Sequence, residues 1–345
     1  MHRKGAFGTA PVREHYTVPS AVLSRFFSLA YFVDFPEKRW CHGKRNRRCG
    51  ATFTGNSVVH IDTRKGGSKV KIGCFALVDP FQLLDHQLER IAGMGFKFAD
   101  VTDNHPGGLL GREYGFSATV SLDDNPRDVV RLFEKHGLTI TTVCAHANLL
   151  DPSASSRYGT AEIIKAVKLA ALMGVKHVVT SEGEPTTAWG KALPRDRAIF
   201  IVAEKLYEPV RLAKDLDVDI LLEPHGHLTD TIDGVEGIFR ALGNPMNLGV
   251  NMDTGNCWLG GTDPVAYARH FKDRIRHVHW KDLPKEFEAK RGKEFGCGFS
   301  PIALGEGVID IAGAYKVLKD VEYCTLEIGG DDNLKKSVRY LESLA

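Results

Sequence analysis

The chain lacks the marks of several large protein classes. No apolar run reaches the roughly 20 residues that a membrane-spanning helix needs, which argues against a bilayer protein. Its seven cysteines form no CxxC pair and no short-spaced Cys/His cluster. A disulfide framework and a structural zinc site are therefore disfavoured, and a reducing cytoplasm fits this usage. Cys74, Cys144, Cys257 and Cys324 stand in or beside apolar runs and read as small buried hydrophobes. The first strand-like run, VKIGCF, leads into ALVDP without a glycine, so no dinucleotide-binding fingerprint follows it. A phosphate loop is also missing. The last strand-like run ends in Gly329-Gly330, and the Asp331-Asp332 pair that follows would repel phosphate.

Acid is scarce at one end only. Residues 1–70 hold 13 Lys and Arg against 4 Asp and Glu, while the remainder holds 32 against 39. A basic cluster, HGKRNRR, occupies 42–48, and residues 1–69 show no sustained hydrophobic period. This stretch reads as a transit peptide, as a tail for an anionic partner, or as sequence ahead of the true start, since VKIGCF is a natural first strand and Val70 can arise from a GTG codon. All three readings make 1–69 peripheral and poorly ordered. The mild acidity of the rest argues against a nucleic-acid groove.

What is present from residue 71 onward is regular. Apolar strand-like runs occur near 71–76, 97–102, 139–145, 175–180, 218–223, 247–252, 275–280 and 322–328. Amphipathic stretches of helical length lie at 80–93, 126–136, 160–173, 199–216, 235–242, 264–272 and 311–318. Strand and helix in alternation imply a parallel sheet covered by helices. Eight strands over 70–345 point to an α/β fold of the (β/α)₈ TIM-barrel type, with a doubly wound sheet as the alternative. Long connections at 103–124, 181–195 and 282–307 follow strands two, four and seven, where barrel enzymes carry their chemistry, and read as lids or binding walls.

Four ionisable residues stand at the ends of the last four strands: Glu223 in LLEPHG, Asp253 in NMDTGN, His279 in HVHWKD and Glu327 in TLEIGG. In a barrel they converge at one mouth. Three carboxylates and one imidazole form a hard-leaning set that suits Mn²⁺ best, with Mg²⁺ or Co²⁺ as substitutes. Such an ion would polarise a sugar carbonyl and its neighbouring hydroxyl. Glu223 and Glu327, on opposite sides of it, could then remove and return a proton. The outcome would be isomerisation or epimerisation, or elimination where a leaving group lies β to the carbonyl. His146 and His225 are further acid/base candidates. Glu182, Asn256, Lys281 and His105 are candidate substrate contacts, although each read singly also fits a structural hydrogen-bonding group. The set points to an uncharged keto sugar.

At these residues the chain resembles the xylose-isomerase-like TIM-barrel superfamily of sugar isomerases and epimerases, over 70–345 and through LLEPHG, NMDTGN, HVHWKD, LGEGVID and TLEIGG in that order. The resemblance implies the same four metal ligands. In the ketose 3-epimerase branch it implies proton transfer by Glu223 and Glu327, but that branch carries His where this chain has Asn256. The motifs VTDNHPGG, CAHANLLDP, EGEPTTAWG, DTGNCWLGG and RGKEFGCG look like the large subunit of bacterial C-glycoside deglycosidases. That likeness implies carbon–carbon cleavage of a 3-oxo-C-glycoside, a small β-rich partner subunit and a homo- or hetero-oligomer. Aldose–ketose isomerase, ketose epimerase and keto-sugar or inosose dehydratase remain alternatives. A related fold serves abasic-site endonucleases, but these need a trinuclear zinc site and a basic DNA face. A non-catalytic metal-binding barrel is a last alternative, against which all four ligands are retained.

Overall fold

The structure is a computed structural model of the chain, and it describes residues 70–102, 116, 120–150, 155–183 and 187–345. The extension expected at 1–69 and the candidate His105 lie outside the described residues.

Eight strands form a closed parallel barrel in chain order: β1 Lys71–Phe75, β2 Phe98–Val101, β3 Thr139–Cys144, β4 His177–Thr180, β5 Asp219–Leu222, β6 Leu248–Asp253, β7 Ile275–Trp280 and β8 Tyr323–Leu326. Each lies within two residues of the apolar run that predicted it. The runs are legible because a parallel strand is covered on both faces. All six residues of β6 are buried, for example.

Between the strands run helices α1 Leu84–Gly93, α2 Pro126–Lys135, α3 Tyr158–Met173, α4 Ala188–Lys191, α5 Arg195–Asp215, α6 Ile232–Ala241, α7 Thr254–Leu259, α8 Pro264–His270, α9 Ile311–Leu318 and α10 Asp331–Ser343. Local chemistry sets their ends. Asn125 caps α2, Thr231 caps α6, Asp263 caps α8 and Asp310 caps α9, each accepting from a backbone N–H in the first turn. Gly174, at φ +75°, ends α3 in the left-handed conformation that glycine adopts without strain. The apolar faces of the helices pack on the outer faces of the strands, where Ile220, Leu222, Val250, Met252 and Val278 are at most 1% exposed. Arg90 of α1 pairs with Asp331 of α10 at 2.8 Å, so one of the two acids after β8 closes the ring of helices.

Register places the site. His279 stands opposite Asp253 on one side and Thr325 on the other. Glu223 and Glu327 follow directly on the last residues of β5 and β8, their amides bonded to Thr180 and Trp280 carbonyls. All four chemical groups therefore stand at the same end of the barrel.

The connection 282–307 is held as a wall. Asp282 is fully buried, and its carboxylate accepts from the backbone N–H of Leu283, Gly305, Gly307 and Ile309 at 2.9–3.1 Å. This explains GEGVID: a Cβ on Gly307 would collide with the Asp282 carboxylate, and Gly305 turns at φ +85°. Ser300 Oγ donates to the Asp282 carbonyl at 2.5 Å, and Ser300 bridges to Ile328 beyond β8.

Candidate metal centre at the barrel mouth

Glu223, Asp253, His279 and Glu327 each offer one ligand atom, and these atoms lie within 4.8 Å of one another. All four residues are buried, with Glu327 the most open at 9%. His279 Nδ1 lies 3.2 Å from Glu223 Oε2 and 3.4 Å from Glu327 Oε2. Yet Nδ1 makes no well-aligned hydrogen bond, and neither does Asp253 Oδ2. The four ligand atoms thus lie close together, with two of them lacking a well-aligned hydrogen-bond partner among the described residues.

Charge makes the same case. Lys281 Nζ lies 2.9 Å from Glu327 Oε1 and 3.1 Å from Asp253 Oδ2, and among the described residues it is the one Lys or Arg paired with these three carboxylates. Without a bound ion, burial and then the Glu223 and Glu327 charges push Asp253 up to about 7, against the pull of Lys281 and His279. The donor set and its charge deficit both fit a divalent cation.

The ligands are not held alike. Asn251 Nδ2 donates to Glu223 Oε2 at 2.8 Å, and Asn256 Nδ2 donates to Oε1 at 3.2 Å. These amides fix Glu223, and burial, which would raise its carboxyl, is outweighed by His279, with His146 and Lys281 adding to the pull, so it lies well below the usual range. Glu327 is gripped only by Lys281 and His279 among these groups, and it faces the opening. His146 Nε2 lies 3.6 Å from Glu223 Oε2, and its ring centroid is 5.5 Å from that of His225. Both rings are half-buried, and the pair stands on the Glu223 side of the cluster.

Three of the candidate substrate contacts have protein partners. Glu182 is fully buried and accepts from Leu228 N, Thr229 N and Thr229 Oγ1, so it holds the loop after β5 instead of facing the mouth. Asn256 is also fully buried. Its amide braces Glu223, while its oxygen accepts from Cys297 N at 2.9 Å, joining the 282–307 wall to a ligand. Lys281, 1% exposed, is spent on Asp253 and Glu327. In each case a polar residue beyond a strand end is paired with a neighbouring backbone or carboxylate, a pairing that spacing does not reveal.

Sequence reasoning passed over two groups below the ligands. Asp100 of β2 is fully buried, with Oδ2 3.2 Å from His279 Nε2. His277 bonds Asn251 Oδ1 through Nδ1 at 2.9 Å and Thr325 Oγ1 through Nε2 at 3.2 Å. Burial drives His277 down to about 3, so it is neutral. Asn251 Oδ1 can only accept, hence His277 carries its proton on Nδ1 and accepts from Thr325. The available signal for Asp100 was a single acid inside an apolar strand, FKFADV, which demands a buried partner. Beside the site, Phe75, Leu77, Cys144, Val179 and Leu221 form a separate apolar cluster with Phe116 and Phe299 against it. Phe75 meets the His279 ring edge-on at 5.5 Å.

Among the described residues, no helix is long and apolar enough to cross a membrane. Comparison with known proteins agrees with the architecture. An inosose dehydratase of Clostridium beijerinckii is 29% identical over 166 residues, 44% of this chain and 55% of that protein. The chain thus spans about half the length of the curated relatives it matches. Among solved structures, a D-tagatose 3-epimerase-like protein superposes with a TM-score of 0.62 at 20% identity, covering 80% of this chain and 97% of that one. The IOLI protein with a binding zinc atom gives 0.58 at 15%, covering 80% and 98%. These likenesses share the fold, and the family match extends over residues 88–344. The chain belongs to the xylose isomerase-like TIM barrel family.

Proposed function

We propose that this protein is a divalent-metal-dependent enzyme that removes the proton α to the carbonyl of an uncharged keto sugar or keto cyclitol and then eliminates a β leaving group. The observation that carries this is the convergence of Glu223, Asp253, His279 and Glu327 beside one buried ammonium. These residues would hold the ion, which supplies a Lewis acid for adjacent carbonyl and hydroxyl oxygens. Three carboxylates favour Mn²⁺, Mg²⁺ or Co²⁺, and the zinc of the IOLI structure supports a divalent ion of some kind.

The unequal grip on the two glutamates decides the roles. Glu223, fixed by two amides, holds and orients. Glu327, the more open carboxylate, takes the proton from carbon. The C–H electrons enter a new carbon–carbon double bond as negative charge develops on the carbonyl oxygen. That charge returns as the β C–O bond breaks, and the His146–His225 pair protonates the departing oxygen. Elimination through an enolate needs one base at the α carbon and one acid at the leaving oxygen, roles that Glu327 and the His146–His225 pair would fill. The inosose dehydratase relative supports this choice.

A second reading keeps the base and changes the leaving group to the carbon of a 3-oxo-C-glycoside. The apolar cluster of Phe75, Phe116 and Phe299 beside His279 favours it, since that wall suits an aromatic aglycone.

The test is exchange in D₂O with Mn²⁺-loaded protein and a panel of keto-inositols, 3-oxo-O-glycosides and 3-oxo-C-glycosides, followed by proton NMR. Loss of the α-proton signal and release of water or aglycone are expected, and Glu327→Gln should slow both by at least about 10²-fold. Exchange unaltered in Glu327→Gln, or no exchange in any of these compounds, would overturn the assignment.

A further inference from the structure

We infer that Asp100 is a positioning residue that fixes the ring of His279 and presents its Nδ1 lone pair to the metal, an inference that rests on the metal centre proposed above.

Asp100 reaches His279 from the far side of the lumen, since β2 is separated from β7 by β8 and β1. A fully buried carboxylate is expensive unless it is paired. Among the described residues no Lys or Arg pairs with Asp100. Its partners are Thr141 Oγ1, which donates to Oδ1, His279 Nε2 at 3.2 Å from Oδ2, and His277 Nε2 at 3.8 Å from Oδ1. His277 is already committed to Asn251 and Thr325. The strong partner is therefore His279. A carboxylate only accepts, so the facing Nε2 must carry hydrogen and donate. That leaves Nδ1, the atom lying 3.2 Å and 3.4 Å from the two glutamates, as the ligand atom. The edge contact with Phe75 limits rotation of the same ring. A second hydrogen bond on a ligating histidine commonly sets its tautomer and strengthens its hold on the ion.

Substitution separates this role from bulk stability. Asp100→Asn has nearly the same volume, but its amide nitrogen can donate to Nε2 and drive hydrogen onto Nδ1, where it would face the ion. Thr141→Val removes only the hydroxyl that orients Asp100.

The experiment is calorimetric titration of metal-free protein with Mn²⁺ and the visible spectrum of the Co²⁺ form, for wild type, Asp100→Asn, Thr141→Val and Asp253→Asn. The inference expects Asp100→Asn to bind about 10–100-fold more weakly, with a shifted Co²⁺ spectrum. Thr141→Val should weaken binding about threefold and remains informative if Asp100→Asn does not fold. Wild-type affinity and spectrum in Asp100→Asn, or in Thr141→Val where that is the folded variant, would overturn the inference while leaving the metal centre standing. Loss of binding in Asp100→Asn with full binding in Asp253→Asn would put the ion on Asp100, His277 and His279 instead, and would also overturn it. No binding by wild type would refute the metal centre itself.

Discussion

Asp282→Ala should destabilise the barrel far more than a typical loop substitution. The carboxylate is fully buried and takes four backbone N–H groups, from Leu283, Gly305, Gly307 and Ile309. Hydrogen bonds to a charged group contribute about 1.5–3 kcal/mol each. Four donors share two oxygens here, and water entering the vacated space satisfies part of the loss, so the net cost should be about 3–5 kcal/mol. That is a large share of the roughly 5–15 kcal/mol that holds a domain folded. At about 2–4 °C per kcal/mol for a chain of this size, Tm should fall by about 6–20 °C. Asp282→Asn should recover little, because its amide nitrogen would face the N–H groups of Gly305 and Gly307. Urea unfolding of the three proteins measures the difference, with Mn²⁺ removed so that binding does not mask it. A loss under about 1 kcal/mol in Asp282→Ala would refute the reading of 282–307 as a clamped wall.

Gly226→Ala should cost about 1–3 kcal/mol in urea unfolding, because its Cβ would lie 2.5 Å from Glu182 Oε1 and 2.9 Å from the Gly183 carbonyl oxygen. Metal affinity should depend on pH with a definite sign. Asp253, pushed up to about 7 in the absence of an ion, must lose its proton to bind one. His279, which burial would lower but the Glu223 charge and the Asp100 contact raise well above its usual range, must give up a proton as well. Apparent affinity should therefore fall as pH drops through about 7 and keep rising with pH above it, by titration at several pH values.

The barrel was legible because each strand is an apolar run between helical stretches. The four clustered candidate ligands were legible because each is a single charged residue closing such a run, as Glu223 closes ILLE. What escaped was of two kinds. Helix α7 was not anticipated: it has six residues, and Asp253, ligand candidate and cap together, accepts from Asn256 N at 2.7 Å. The other kind is the division of labour among polar groups. Glu182, Asn256 and Lys281 look like substrate contacts along the chain, but three-dimensional neighbours claim them. Asp100 lies 179 positions from His279, beyond the reach of any local pattern.

The central claim is that one divalent ion belongs among Glu223, Asp253, His279 and Glu327. Titrating metal-free protein with Mn²⁺ in a calorimeter tests it most directly. The account predicts one ion per chain, with binding reduced at least about tenfold in both Asp253→Asn and Glu223→Gln. No binding by the wild-type protein, or equal binding by those two variants, would contradict it.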